Sequence, residues 1–82
     1  MNYSLENIIE CLLLTSDEPL TVNRILKILD DKKITKKKIE SCISNLNKRY
    51  ADRAIHIKHV ASGYRFQAKT GLEVYILSLI HI

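Results

Sequence analysis

The apolar residues of this chain change their spacing once, just after Tyr50, and that change leaves few folds open. Before it, Leu5, Ile8, Ile9, Leu12 and Leu13 recur at the interval that gathers side chains on one face of a helix. The same holds for Val22, Ile25, Leu26 and Leu29, and again for Ile39, Cys42, Ile43, Leu46 and Tyr50. After it, Ile55, Ile57, His59 and Ala61 alternate, as do Tyr64, Phe66 and Ala68, which is the period of a half-buried strand. Three helices followed by a hairpin is the order of a winged helix-turn-helix, an α+β fold that is mainly α. Helices two and three would form the helix-turn-helix pair and the hairpin the wing.

Local signals place the breaks. Ser4, Thr21 and Thr35 each precede a helical pattern, and their hydroxyls can accept from the orphan N–H groups of a first turn. Glu6 suits the positive end of the first helix dipole. Ser16, Asp17 and Pro19 stop that helix, since proline cannot continue it, and Asp30 with Asp31 closes the second. A two-residue turn at Ser62 and Gly63 would set Ala61 opposite Tyr64, His59 opposite Phe66 and Ile57 opposite Ala68. That pairing keeps the apolar side chains on one face, and a one-residue slip would not. A last helix is expected from near Gly71, with Leu72, Val74, Tyr75 and Ile76.

Several chemistries are excluded. A chain of 82 residues builds a thin core and has little room for a catalytic cleft. Two glycines cannot make a phosphate-cradling loop, so no nucleotide cofactor is expected. His56 and His59 fall on opposite faces of one strand, which argues against a metal. The pairs Asp17 with Glu18 and Asp30 with Asp31 sit at helix ends and read as solvated turn residues. Cys11 and Cys42, far apart and along apolar stripes, read as structural thiols in a reducing cytoplasm; they suggest neither a disulfide framework nor a nucleophile. The chain is therefore expected not to be an enzyme. Its start, MNYSLENIIE, lacks the pattern of a signal peptide, and no apolar run is long enough to span a bilayer.

Charge is the feature left over. Lys32 to Tyr50 holds seven basic residues against Glu40 alone, a net +6 in a chain of net +4, so the remainder sums to −2. On the third helix Lys37, Ser41, Ser44, Asn45 and Lys48 fall opposite the apolar stripe, a polar set able to reach phosphates and base edges. Lys36, Lys37 and Lys38 follow the cap directly, where cations are mildly unfavourable. The outer face of the wing adds His56, Lys58, Arg65, Gln67 and Lys69. One function class consistent with this pattern is a winged-helix DNA binder, a transcriptional regulator or a nucleoid-associated protein. Against it stand the short wing turn and the scarcity of arginine on the third helix's polar face.

The stretches LENIIECLLLTSDEPLTVNRILKIL and GYRFQAK resemble the N-terminal domain of the segregation and condensation protein B (ScpB) family, with similarity from about Leu5 to Ile76. The more specific parts are the turn Thr15 to Leu20 and the wing segment Gly63 to Gln67. The resemblance implies a non-enzymatic, cytoplasmic and nucleoid-associated subunit that forms a homodimer through its N-terminal domains. It also implies a partner, the kleisin ScpA, which bridges the heads of the Smc ATPase in chromosome condensation and segregation. The sequence departs from the family at Lys36 to Lys38, where members usually carry a mixed or acidic first turn, and the family's second winged-helix domain is expected to be absent from it. Residues 1–76 are thus expected to be the N-terminal winged-helix domain. Residues 77–82, LSLIHI, resemble the translation of a transposon sequencing adaptor, and are expected to be a read-through tail. Cys11 and Leu14 fall off the core face of the first helix and form the candidate dimer or partner patch.

Overall fold

The computed structural model describes residues 3–80, which form α1 (Leu5–Thr15), α2 (Val22–Leu29), α3 (Lys36–Lys48), β1 (Ile55–Val60), β2 (Gly63–Ala68) and α4 (Glu73–Leu77). Each of the first three helices starts where a hydroxyl can cap it. Ser4 accepts from the Asn7 N–H at 3.1 Å, Thr21 from the Arg24 N–H at 3.0 Å and Thr35 from the Lys38 N–H at 3.2 Å. Such caps each contribute about 1 kcal/mol. Asp30 ends α2 in the left-handed region, φ 49°, and the Asp31 carboxylate then accepts from the Lys33 N–H. Both aspartates tolerate or stabilise a turn there.

The core contains Ile9 and Leu13 of α1, Leu20 of the following loop, Ile25 of α2, Ile39, Ile43 and Leu46 of α3, and Ile57 of β1. α3 supplies three of these and packs against α1, α2 and β1, so it is the hub of the domain. Asn47 fastens the wing to that hub. Its side-chain amide donates to the Ile57 carbonyl at 3.0 Å, and its carbonyl oxygen accepts from the Ile57 N–H at 2.8 Å. Those backbone groups lie on the edge of β1 that faces away from β2.

The hairpin register differs from the one expected. Ile57 pairs with Phe66, His59 with Tyr64 and Val60 with Gly63, so the turn is Ala61–Ser62 rather than Ser62–Gly63. The shift is two residues, which preserves the faces; only the partners change. Its cause lies outside the hairpin. Leu20 and Tyr64 exchange both backbone hydrogen bonds, at 2.9 and 2.7 Å, and this bridge lays the Leu20 backbone directly on Gly63. A Cβ at Gly63 would sit 2.4 Å from the Leu20 carbonyl carbon, and φ there is 133°. The glycine is needed for that approach, while Ala61 and Ser62 turn at negative φ. The His59 and Tyr64 rings stack at 4.3 Å, as their new pairing allows.

α3 ends at Lys48, so Tyr50, expected on its apolar stripe, lies just beyond it. There Tyr50 meets Phe66 edge-on at 5.2 Å, and its hydroxyl donates to the Glu10 carboxylate. That hydrogen bond, then burial, holds the Tyr50 phenol above the usual tyrosine range. Arg49 pairs with Glu6 at 2.7 Å, a second tie between the end of α3 and α1. Cys42 is half-buried, but Cys11 is exposed, which corrects the expectation of a structural thiol: at 3.6 residues per turn it lies opposite Ile9.

Beyond Phe66 no described residue belongs to the core or packs against it. α4 forms as expected but is exposed along its length. The radius of gyration, 14.1 Å, exceeds the roughly 12 Å of a compact chain of this size. Of the stretch 77–82, residues 81 and 82 lie outside the described residues.

Candidate functional site

Among the described residues no cluster of histidine, cysteine and carboxylate side chains could hold a metal ion. Among the described residues no helix is long and apolar enough to cross a membrane. What the fold offers instead is two exposed helix faces of different chemistry, together with the outer side of the wing.

The first face belongs to α1. Its buried residues Ile9 and Leu13 point into the core, which leaves Asn7, Cys11 and Leu14 on the far side. Leu14 is 66% exposed and Tyr3, just before the cap, 72%. Cys11 lines an open depression with Tyr3, Ile8 and Leu12, whereas Leu14 lines another with Pro19 and Phe66. The two candidate residues therefore share a helix face but not a pocket. Tyr3 was not singled out from the sequence, because a lone aromatic ahead of a cap carries no periodic signal.

The second face belongs to α3. Lys37, Ser41, Ser44, Asn45 and Lys48 are all exposed on the side away from Ile39, Ile43 and Leu46. Lys36 and Lys38 flank them at the first turn, also exposed, and that turn has no acidic residue. On the wing, Lys58 and Arg65 are exposed and stand directly opposite one another across the two strands. Like charges so placed repel. Lys69 stands apart. Its ammonium donates to the carbonyls of Tyr50 and, at 2.8 Å, Ala51, so it closes the end of α3. Neither this role nor that of Asn47 had a sequence signal, since each depends on which carbonyls the fold brings within reach.

The two thiols differ in reactivity for a physical reason. Burial, then the Glu6 carboxylate, raises the Cys42 thiol above its ordinary value, with Lys38 acting weakly the other way. The thiolate is the nucleophile, so a raised value and restricted access both slow it. Iodoacetamide at neutral pH is expected to modify exposed Cys11 at least about tenfold faster than Cys42. Peptide mass mapping of a time course checks this, and equal rates would contradict it.

Comparison with known proteins places the chain in a family. Residues 7–82 match the family model described as segregation and condensation complex subunit ScpB. The chain is 36% identical over 73 residues to the segregation and condensation protein B homolog of Coxiella burnetii (strain RSA 493 / Nine Mile phase I). That alignment covers 88% of this chain but 35% of the relative, so the chain spans about a third of that relative's length. Among solved structures, a conserved hypothetical protein from Chlorobium tepidum superposes with a TM-score of 0.80 at 26% identity, over 93% of this chain and 48% of that one. A dimer of the ScpB N-terminal domain complexed with an ScpA peptide gives a TM-score of 0.79 at 19% identity, over 98% of this chain and 95% of that one. The second likeness speaks for the fold alone, a winged helix. With the family match running over nearly the whole chain, and the three helices and wing in the arrangement of such a domain, this chain belongs to the ScpB family of segregation and condensation complex subunits.

Proposed function

We propose that the chain serves as the N-terminal winged-helix unit of a non-enzymatic subunit in a condensin-like chromosome complex, acting in the cytoplasm at the nucleoid. In this role it pairs with a second copy and contacts the kleisin ScpA, and through it Smc. The observation that carries the proposal is the family match over residues 7–82. It is supported by the likeness to an N-terminal domain that was solved as a dimer with an ScpA peptide. The α1 face is the patch assigned to self-association: Leu14 and Cys11 supply exposed apolar surface on a rigid helix, flanked by Tyr3. Residues 1–76 are taken as the domain. Residues 77–82 are taken as a tail on the resemblance of LSLIHI to an adaptor translation, although the family match runs through residue 82.

The test has two parts. Co-purification of ScpA from the same source with a full-length version of the subunit is expected to succeed, and its failure would remove the proposal. Sedimentation equilibrium of this chain is expected to give about twice its 9.5 kDa mass, and Leu14→Glu to return it to one. A charge in the middle of a small apolar interface leaves it unpaired and weakens association by several kcal/mol. A Leu14→Glu protein that remains dimeric would move the interface off α1.

A further inference from the structure

We propose that the outer face of α3 is a sequence-independent binding surface for the phosphate backbone of a nucleic-acid duplex. The proposal goes beyond the subunit function and does not rest on it.

Three observations carry it. The first is that the charge on this face is free. Lys32 and Lys33 of the preceding turn and Lys36, Lys37, Lys38 and Lys48 of α3 are all exposed, and among the described residues the one ion pair is Arg49 with Glu6. Seven cations in the stretch thus leave six without an internal carboxylate partner. The second is that their placement is locally unfavourable. Lys36 to Lys38 occupy the first turn of α3, where the uncapped N–H groups of Lys36 and Lys37 already present partial positive charge and no acidic residue shares the turn; Glu40, one turn on, is the single carboxylate of the helix against four lysines. An external anion at this position meets both the ammonium groups and the helix dipole.

The third observation selects the class of partner. Between its flanking contacts the face reads Lys37, Ser41, Ser44, Asn45, Lys48, without an exposed apolar or aromatic side chain. A protein interface draws most of its binding energy from buried aromatic and apolar anchors, and this face has none. Cations interleaved with hydroxyl and amide donors are what phosphate and sugar oxygens accept from. Arginine, which makes the commonest base-specific contact, is missing from the face, so the contacts it can make fix position without reading sequence. α1 shows the contrast: its exposed face carries Leu14 and Cys11, with Tyr3 exposed just ahead of its cap. The domain therefore presents an apolar face suited to protein and a cationic face suited to phosphate, on different helices. α3 is about 20 Å long, enough to lay several lysines along one groove of a duplex.

Fluorescence anisotropy with a labelled 20-base-pair duplex of random sequence tests this, using the intact chain at a series of salt concentrations. Binding at low salt is expected, with log Kd depending on log salt with a slope of about 3 to 5, near 0.9 for each phosphate neutralised. The variant Lys36→Ala, Lys37→Ala, Lys38→Ala is expected to bind at least tenfold more weakly and to lose about 2 to 3 from that slope. A second variant, Lys37→Gln with Lys48→Gln, is expected to lose somewhat less. All these side chains are exposed, so circular dichroism should show both variants folded. Absence of duplex binding by the unaltered chain, or unchanged binding by both folded variants, would overturn the proposal. So would a tenfold preference for one sequence, which would mean base reading, or competition by polyglutamate as effective as by duplex, which would mean an acidic protein partner. Capture of ScpA by the full-length subunit is expected to be unchanged by the lysine substitutions, which separates this surface from the kleisin contact.

Discussion

Gly63→Ala is expected to unfold the chain at room temperature or to remove roughly 4 kcal/mol or more of stability, because two costs fall on one atom. The backbone there holds φ at 133°, a conformation that side chains strain by about 1–3 kcal/mol. The added methyl would also lie 2.4 Å from the Leu20 carbonyl carbon, 2.6 Å from its oxygen and 2.7 Å from the Thr21 nitrogen. These are backbone atoms that cannot rotate aside. Relief requires the Leu20–Tyr64 bridge to open, and with it the seat of Leu20 in the core and the entry into α2. A domain of this length holds only about 4–12 kcal/mol in total. Gly71 is the control. It too has a positive φ, 98°, yet nothing lies within 4 Å of a Cβ built on it, so Gly71→Ala should cost only about 1 kcal/mol. Thermal melting of the two variants side by side checks the argument, and similar melting temperatures would contradict it.

Asn47→Ala is expected to cost about 2–4 kcal/mol and to loosen the wing before the helices. The side chain makes two hydrogen bonds to one residue of β1, and its loss leaves the Ile57 N–H and carbonyl beside the core without partners. An unmet donor in a half-buried place costs more than the net value of the bond it lost. Asn47→Asp should recover only part, since a carboxylate can accept from the N–H but repels the carbonyl oxygen. Amide hydrogen exchange gives the discriminating readout. Ile57 should lose protection in the variant by a factor of about 30 or more, while Ile43 in α3 should change only by as much as global stability falls. Uniform loss across both elements would show that Asn47 acts only through overall stability.

How much of this was legible in the sequence depended on how far each interaction reaches along the chain. The caps at Ser4, Thr21 and Thr35 are three-residue events, and the hydroxyls that make them stand just ahead of the apolar pattern. The buried helical residues from Ile9 to Leu46 follow from periodicity and buried Ile57 from strand alternation, whereas Leu20, in a loop, carried no periodic signal. Strand register was not legible. Ser62–Gly63 looked like the turn because glycine often is, but Gly63 answers to Leu20, more than forty residues earlier. Lys69 read as one more surface cation of the wing, and became the group that closes α3 once the hairpin carried it beneath Tyr50 and Ala51. Arg49 counted toward the basic stretch, yet it reaches back to Glu6. Cys11 drew two readings, a structural thiol beside Leu12 and Leu13 and a residue off the core face by its helical angle, and its exposure agrees with the second. Of the candidate contacts, those on α1 and α3 needed only helical angle, and those on the wing needed tertiary structure as well.

The exposed end of the chain has a bearing on how the protein behaves at concentration. Residues 74–80, VYILSLI, are uncharged, rich in residues that favour strands, and free of proline and glycine. In α4 and just after it Val74, Tyr75, Leu77, Leu79 and Ile80 remain largely open to solvent. A segment of this composition can leave a five-residue helix at small cost and stack with its counterparts as a cross-β zipper. Because it lies apart from the core, better packing among Ile9, Ile25 and Leu46 would raise the melting temperature without slowing that association. A charge set within such a run opposes its stacking, so a lysine placed among these seven residues acts on association and leaves the folding free energy nearly untouched.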